Sequence, residues 1–415
     1  VKALIVTYGG GHIAMVLPVV KALHQRGIKV QLIALTTAAR SARQAGLAPW
    51  GYADFLHLVD REVVLSHGRL LAVGNQHPDV DPLETASYLG INYCEWIDSY
   101  GAEEAANRMR REGRRGFYPL QFMGRVIDEL KPDVVVTTNS PRSEQAAIEA
   151  AVARGIPTLS MVDLFALDYD PYLRRTVHAD RITVLGPQVR DKLIASGIPS
   201  ERIRITGNPV FDALVHRENQ RKARLLRESL GWQHRTVVLW AGHLEGGPDT
   251  PMEWRDAKFG ILIESMLREW VANRSDVALI VRYHPNEYQE FPLQAPQPFV
   301  HVSDARTEPV HAVLLAADAV VVQTTTVGVE AAVAGRHVFA LSFSPLVCGT
   351  GLDYSRLGLA YSVKAPGDLI PMLDAHAGGP RPAAGRFNAG GAARAVAAEI
   401  EALMPAGPKT GACRA

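Results

Sequence analysis

Short apolar, β-leaning runs alternate along the chain with segments whose apolar residues recur at helical spacing. Ala3 to Val6 is one such run; three glycines, Gly9 to Gly11, follow it, and then Ile13, Val16, Leu17, Val20 and Leu23 fall on one helical face. Gly27 ends that helix and Lys29 to Leu35 reads as the next strand, which closes a β-α-β unit. The same order returns with a strand at Asp133 to Thr137, a helix from near Ser143, Gly155, and a strand at Thr158 to Val162. Ile182 to Leu185 and Ile203 to Thr206 predict two further strands, with a helix over Gln188 to Ser196 between them. Leu56 to Tyr118 is charged, mixed and weakly periodic, which predicts helices and loops extending one edge of the first domain.

After a polar helix over Arg217 to Leu230 the pattern restarts. Strands are predicted at Thr236 to Trp240, Val277 to Val281, Phe299 to Val302, Ala319 to Val322 and His337 to Leu341, with helices over Met252 to Ala272, Val310 to Ala316 and Val327 to Ala334. Strands joined by helices form parallel sheets, so the fold class is α/β, with two Rossmann-like doubly wound domains facing a central cleft. The predicted boundaries are 1–212, 213–380, and a terminal segment 381–415 whose helix, Ala392 to Leu403, precedes a fraying tail.

The length of 415 residues suits two or three domains at ~150 residues each. Hydrophobic residues make up 47% and charged ones 21%, enough to build cores, so extensive disorder is excluded. Lys+Arg number 44 against 43 Asp+Glu, and the net charge of +1 disfavours a dedicated nucleic-acid partner. The 3 cysteines, Cys94, Cys348 and Cys413, are widely spaced and form no CxxC, so neither a disulfide framework nor a zinc site is expected. No apolar run approaches the ~20 residues of a transmembrane helix, and the first residues read as a strand rather than a signal peptide. The expected location is cytoplasmic; a peripheral membrane contact and the oligomeric state stay open.

In doubly wound sheets ligands gather beyond the carboxyl ends of the strands, so the loops that follow the strands are the place to look for chemistry. Gly10 and Gly11 let the backbone approach a bound group, and His12 opens the helix behind them, where an imidazole can take a proton from a hydroxyl. A tight turn with a surface histidine is the plainer reading. Thr137 to Glu144 offers Asn139, Ser140 and Arg142 to sugar hydroxyls or a phosphate; equally, Ser140 or Ser143 could cap the helix with Glu144 in its first turn. Gly242 and His243 follow the first strand of the second domain and could meet a phosphate, or belong to a long surface loop from Gly246 to Thr250. Arg282 and His284, fixed by Pro285, stand at a strand end and could grip a base carbonyl or a phosphate. Thr324, Thr325, Thr326 and Gly328 precede an Ala-rich helix whose start suits a phosphate, and Glu330 could accept both hydroxyls of a ribose or simply be solvated.

Taken together, the GGGH turn, Ile205 to Leu214 (ITGNPVFDAL), His284-Pro285 and Thr325 to Ala331 (TTVGVEA) resemble the GT-B glycosyltransferase superfamily. Within it, ITGNPVFDAL and Ala241 to Glu245 look like UDP-N-acetylglucosamine 2-epimerases, whose GTRPE-type first loop is replaced here by GGGH and whose HVEAG-type stretch is replaced by Ser160 to Asp163 and its neighbours. The first loop is more similar to that of the peptidoglycan GlcNAc transferase. The HP and TTVGVEA pair looks like bacterial capsule and sialic-acid transferases, which use CMP-sugars. The resemblance implies a glycosyltransferase of carbohydrate biosynthesis, moving a sugar from a nucleotide-sugar, UDP- favoured and CMP- open, to a carbohydrate or small-molecule acceptor. The nucleotide-sugar is a co-substrate; no cofactor is expected, and no metal, since no DxD stands at a strand end. His12 is the expected base, with Asp163 and Glu144 as other candidates. Donor contacts are expected from Gly10, Gly11, Asn208, Gly242, His243, Arg282, His284, Thr324, Thr325, Thr326, Gly328 and Glu330, and acceptor contacts from Asn139, Ser140 and Arg142. The alternatives are an epimerase or hydrolase of a UDP-sugar and a non-catalytic nucleotide-sugar-binding protein.

Overall fold

A computed structural model describes residues 1–163, 171–246, 250, 254–285, 287–380 and 390–405. Parts of the predicted loop at Gly246 to Thr250, the start of the helix predicted from Met252 and most of the predicted terminal tail lie outside the described residues. The chain divides into two compact units, Val1–Val210 with Gly391–Ala415, and Phe211–Gly390.

The first unit is a sheet of six strands: β1 (Lys2–Thr7), β2 (Lys29–Ala34), β3 (Val134–Thr137), β4 (Thr158–Met161), β5 (Arg181–Val184) and β6 (Ile203–Ile205). Their order is β2-β1-β3-β4-β5-β6, every pair parallel. The apolar runs are continuous because both faces are buried. Leu4, Val6 and Val135 point into one core, while Ala3, Ile5, Val134 and Val136 point into the other, the two-residue period of a strand. On the second face lie the helix Gly11–Gln25 and the terminal helix Ala392–Leu403, which contributes Val396, Ala397 and Ile400.

Just ahead of the segment predicted as helices and loops, Trp50 bridges Ile33 beside β2. Beyond it, the helices Arg61–Ala72 and Pro82–Tyr100 roof the first face with Val64, Leu65, Tyr88, Leu89 and Trp96. These two helices touch through glycine: a Cβ on Gly68 would stand 1.9 Å from the Ala86 carbonyl oxygen, and one on Gly90 would stand 2.0 Å from that of Val64. Such close crossing lets a segment with few large apolar residues still seal a core.

The second unit repeats the architecture with β7 (Thr236–Gly242), β8 (Val277–Tyr283), β9 (Val300–Val302), β10 (Ala319–Val322), β11 (His337–Leu341) and β12 (Tyr361–Val363). The order β12-β11-β10-β7-β8-β9 is again wholly parallel, and corresponds to the Rossmann order 3-2-1-4-5-6 read from the β9 side. The strand β12 and the helices Ala38–Gln44, Pro345–Thr350 and Leu369–His376 were not predicted, being too short to show a period. Among the described residues no helix is long and apolar enough to cross a membrane.

Candidate functional site

In each sheet the connections reverse direction between two central strands, β1 and β3 in the first unit and β7 and β10 in the second. The loops at the carboxyl ends of these strands diverge and leave room for side chains or a ligand. Both reversal points carry the unusual residues of the chain.

In the first unit, Gly10 turns the chain from β1 into the helix with φ 68°, a conformation that suits glycine. His12 is thereby carried toward the end of β3. Its Nδ1 hydrogen bonds Thr138 Oγ1, which in turn donates to Glu144 Oε2. Glu144 is fully buried and also accepts from the backbone N–H groups of Tyr8 (3.0 Å) and Ser140 (3.2 Å). His12 is partly exposed, its side chain at 28%, with Nδ1 3.9 Å from Glu144 Oε1. Beneath this chain, Ser143 Oγ bonds the hydroxyls of Tyr8 and Tyr52, both at 2.7 Å, and Tyr8 meets Tyr88 at 3.1 Å. Burial pushes Tyr8 and Tyr52 well above the usual phenol range, so these hydroxyls keep their protons. The Arg142 guanidinium stacks 4.3 Å from the centre of the Tyr8 ring.

The helix after β3 begins at Ser143, and its N-cap is Arg142, with no side-chain cap. The expected Ser140 or Ser143 cap is therefore corrected: Ser143 is engaged by the tyrosines, and Glu144 reaches back to the Ser140 N–H instead. Asn139 accepts from the Asp163 N–H (3.1 Å) through its side chain and from Arg175 (2.6 Å) through its carbonyl. Asn208 is 3% exposed and bonds inward at both amide ends, to Asp163 Oδ1 (3.4 Å) and the Val210 N–H (3.0 Å). Asp163 itself lies against the glycine turn: a Cβ on Gly11 would be 3.6 Å from its Oδ2.

In the second unit a pocket of about 450 Å³ opens at the ends of β7, β8 and β10. Gly242 and His243 come from β7, Arg282 and His284 from β8, and Thr325, Thr326 and Glu330 from the segment after β10; residues 305–310 form the facing wall. His243 is held by two partners that the sequence did not suggest, its backbone N–H donating to Gln323 Oε1 (2.7 Å) and its Nδ1 meeting Glu287 Oε2 (3.2 Å). His243 and His284 stack at 5.2 Å. Burial, and after it the neighbouring His243, push the His284 imidazole below its ordinary range. Burial would raise Glu287, but the His243 hydrogen bond and charge outweigh it and hold the carboxyl low. Arg282 is 8% exposed and spends Nη1 on Ser303 Oγ (2.8 Å) and Nη2 on the Ala305 carbonyl (3.4 Å), so it braces the facing wall as well as lining the pocket.

Glu330 is 5% exposed, which removes the solvated reading; its Oε2 lies 2.9 Å from His311 Nε2. The helix start expected to offer amides is only seven residues long, Val327–Val333. The N–H groups of Gly328, Val329 and Glu330 already bond the carbonyls of Thr325 and Thr326, which corrects the expectation of a phosphate cradle there. What the loop offers instead is the side chains of Thr325 and Thr326. Tyr354 fixes this loop by donating to the carbonyls of Thr324 (3.0 Å) and Thr325 (2.8 Å), and it fits because residue 328 is glycine: a Cβ there would be 2.6 Å from the Tyr354 ring. Thr324 and Gly328 support the loop without lining the pocket, and Gly10, Gly11 and Asn208 belong to the first unit. Among the described residues no group of three or more His, Cys, Asp or Glu side chains is arranged to hold a metal ion.

Residues 10–209 match the model of the glycosyl transferase 4-like domain. No curated protein matches the chain in sequence. In structure it is similar to the UDP-GlcNAc 2-epimerase of Neisseria meningitidis bound to UDP-GlcNAc, with 13% identity, 97% of this chain and 100% of that one covered, and a TM-score of 0.60. The UDP-GlcNAc 2-epimerase of Methanocaldococcus jannaschii gives 14% identity, coverage of 97% and 100%, and a TM-score of 0.59. The glycotransferase of kitacinnamycin gives 16% identity, coverage of 97% and 99%, and a TM-score of 0.57. The chain accordingly has the GT-B fold, two Rossmann-like α/β domains in one chain, and its first unit resembles a glycosyl transferase 4-like domain.

Proposed function

We propose that the chain is a glycosyltransferase that takes a sugar from a nucleotide-sugar, with the nucleotide held in the second unit and the acceptor activated by His12 of the first. The observation that carries this reading is the 450 Å³ pocket at the β7/β10 reversal, lined by the buried carboxylate of Glu330, the guanidiniums of Arg282 and Arg306, the imidazoles of His243 and His284 and the hydroxyls of Thr325 and Thr326, among others. Glu330 accepts the ribose hydroxyls. Thr325 and Thr326 hydrogen bond the phosphates, and Arg282 and Arg306 oppose the charge that the leaving nucleotide gains as the glycosidic bond breaks. His284, held neutral by its burial, serves as a hydrogen-bond donor rather than a cation. No metal takes part, and the nucleotide-sugar is the co-substrate. UDP is the favoured nucleotide because a structurally similar UDP-GlcNAc 2-epimerase is bound to UDP-GlcNAc; CMP is the second choice. Asn139, Ser140 and Arg142 frame the acceptor side, with Arg142 stacked on Tyr8 as the one cation among them.

The test is to incubate the protein with UDP-, CMP- and GDP-sugars, with and without a panel of acceptors, and to follow nucleotide release. Release of UDP only when an acceptor is present supports the transferase. The similarity to two UDP-GlcNAc 2-epimerases favours a second reading, an epimerase or hydrolase, which consumption of UDP-GlcNAc without acceptor would establish. Tight binding with no turnover across the panel would leave a nucleotide-sugar-binding protein.

A further inference from the structure

We infer that Thr138 sets the tautomer of His12, holding its proton on Nδ1 so that Nε2 presents a lone pair. The argument is a count of protons. A threonine hydroxyl has one proton to donate, and Thr138 gives it to Glu144 Oε2. Glu144 is already the acceptor for the Tyr8 and Ser140 N–H groups, and a carboxylate oxygen accepts, so the proton of that bond comes from Thr138. Toward His12, Thr138 Oγ1 therefore offers only a lone pair, and the Nδ1 it contacts must be the donor. A neutral imidazole has one N–H, so Nε2 is left as the acceptor atom.

The chain from Nδ1 through the Thr138 hydroxyl to Glu144 is directional without any proton having to move along it. Its catalytic consequence rests on His12 being the base proposed above; the tautomer itself does not. In the transfer step the acceptor hydroxyl gives its proton to Nε2 while its oxygen bonds the anomeric carbon. The bond from that carbon to the phosphate oxygen breaks, and its electron pair leaves with the nucleotide. The imidazolium that results keeps its Nδ1–H on Thr138, with Glu144 Oε1 3.9 Å away to face the new charge. Thr138 and Glu144 are thus positioning residues. Threonine suits the post because its β-branched side chain is stiff at χ1, and because Thr138 is wholly buried at the end of β3, its hydroxyl has no water to turn toward.

Two-bond ¹⁵N–¹H spectra of the imidazoles test this directly, with His12 assigned by its loss in His12→Gln. They are recorded at pH 8.5, about two units above the ordinary imidazole value. The wild-type protein should show His12 protonated on Nδ1. Thr138→Val keeps the shape but removes the acceptor, and should move His12 to a mixture of tautomers, while Thr138→Ser should restore the Nδ1–H form. In turnover, Thr138→Val should lower kcat by about 10²-fold, the lower end of what a positioned base contributes, with the nucleotide dissociation constant unchanged. Protonation of wild-type His12 on Nε2 would overturn the inference, and that spectrum decides even where the valine variant does not fold. An unchanged tautomer in a folded Thr138→Val would overturn it as well. An Nδ1–H spectrum in a protein without transferase activity would leave the tautomer standing and remove the function proposed above.

Discussion

The two reversal points are built on the same topology and furnished in different ways. At β1/β3 the polar groups are bonded to one another: Glu144 and Ser143 are wholly buried, and hydrogen bonds link His12, Thr138, Glu144 and three tyrosines. At β7/β10 the space is open, and the polar groups around it are held from behind, His243 by Gln323 and Glu287, the threonine loop by Tyr354. A network whose members already bond one another is suited to orienting one reactive atom. An open site with buried charge gains when a ligand of complementary charge replaces water. The contrast is why the proton acceptor is assigned to one unit and the nucleotide to the other.

The largest expected effect separates the two roles. His12→Ala should lower turnover by ~10² to 10⁴ with little change in donor affinity, the usual worth of a positioned general base. His12→Asn keeps a hydrogen bond but cannot take a proton, so near-normal turnover in that variant would make His12 a binding residue and move the base to Asp163 or Glu144. On the other side, Glu330→Ala should weaken nucleotide binding by ~1 to 3 kcal/mol, the range for a hydrogen bond to a charged group, measured by titration calorimetry. An unchanged constant would turn Glu330 into a partner of His311 alone. Gly328→Ala probes the support rather than the pocket. Its methyl meets the Tyr354 ring, and overpacking of this kind should cost ~1 to 3 kcal/mol in denaturant unfolding; full stability would show that Tyr354 can move without loss.

The smallest effect is a pH dependence. His284 has its folded pKa depressed, so between that value and the ordinary one near 6.5 the unfolded chain binds more protons than the folded one. Stability from this group is therefore fully present above 6.5 and is lost as pH falls toward the folded pKa. Glu287, also depressed, acts in the same sense at lower pH, below its ordinary 4.5. Denaturant midpoints measured down from neutral pH should fall less steeply in His284→Gln than in the wild type. Equal slopes would mean that His284 titrates normally.

The strands of both sheets were legible because burial on two faces makes them continuous apolar runs; β12, three residues long at a sheet edge, had no such run to show. Glu330 and Arg282 could be picked out as polar residues just past apolar strands, a local signal. The partnership of His12 with Thr138 could not, because the two are 126 residues apart and meet only through the pairing of β1 with β3. Tyr354 and Glu287 escaped for a related reason: each acts on a loop from another strand, and nothing in its own neighbourhood marks it. The residues proposed for chemistry were visible at strand ends, whereas those that hold them depend on which strands become neighbours.

The division of labour between the two units is tested most directly by titrating UDP into the wild-type protein, His12→Ala and Glu330→Ala under one set of conditions. The account predicts that the wild type and His12→Ala bind UDP with the same dissociation constant and that Glu330→Ala binds it more weakly. Absence of UDP binding by the wild type, or a loss in His12→Ala equal to that in Glu330→Ala, would contradict it.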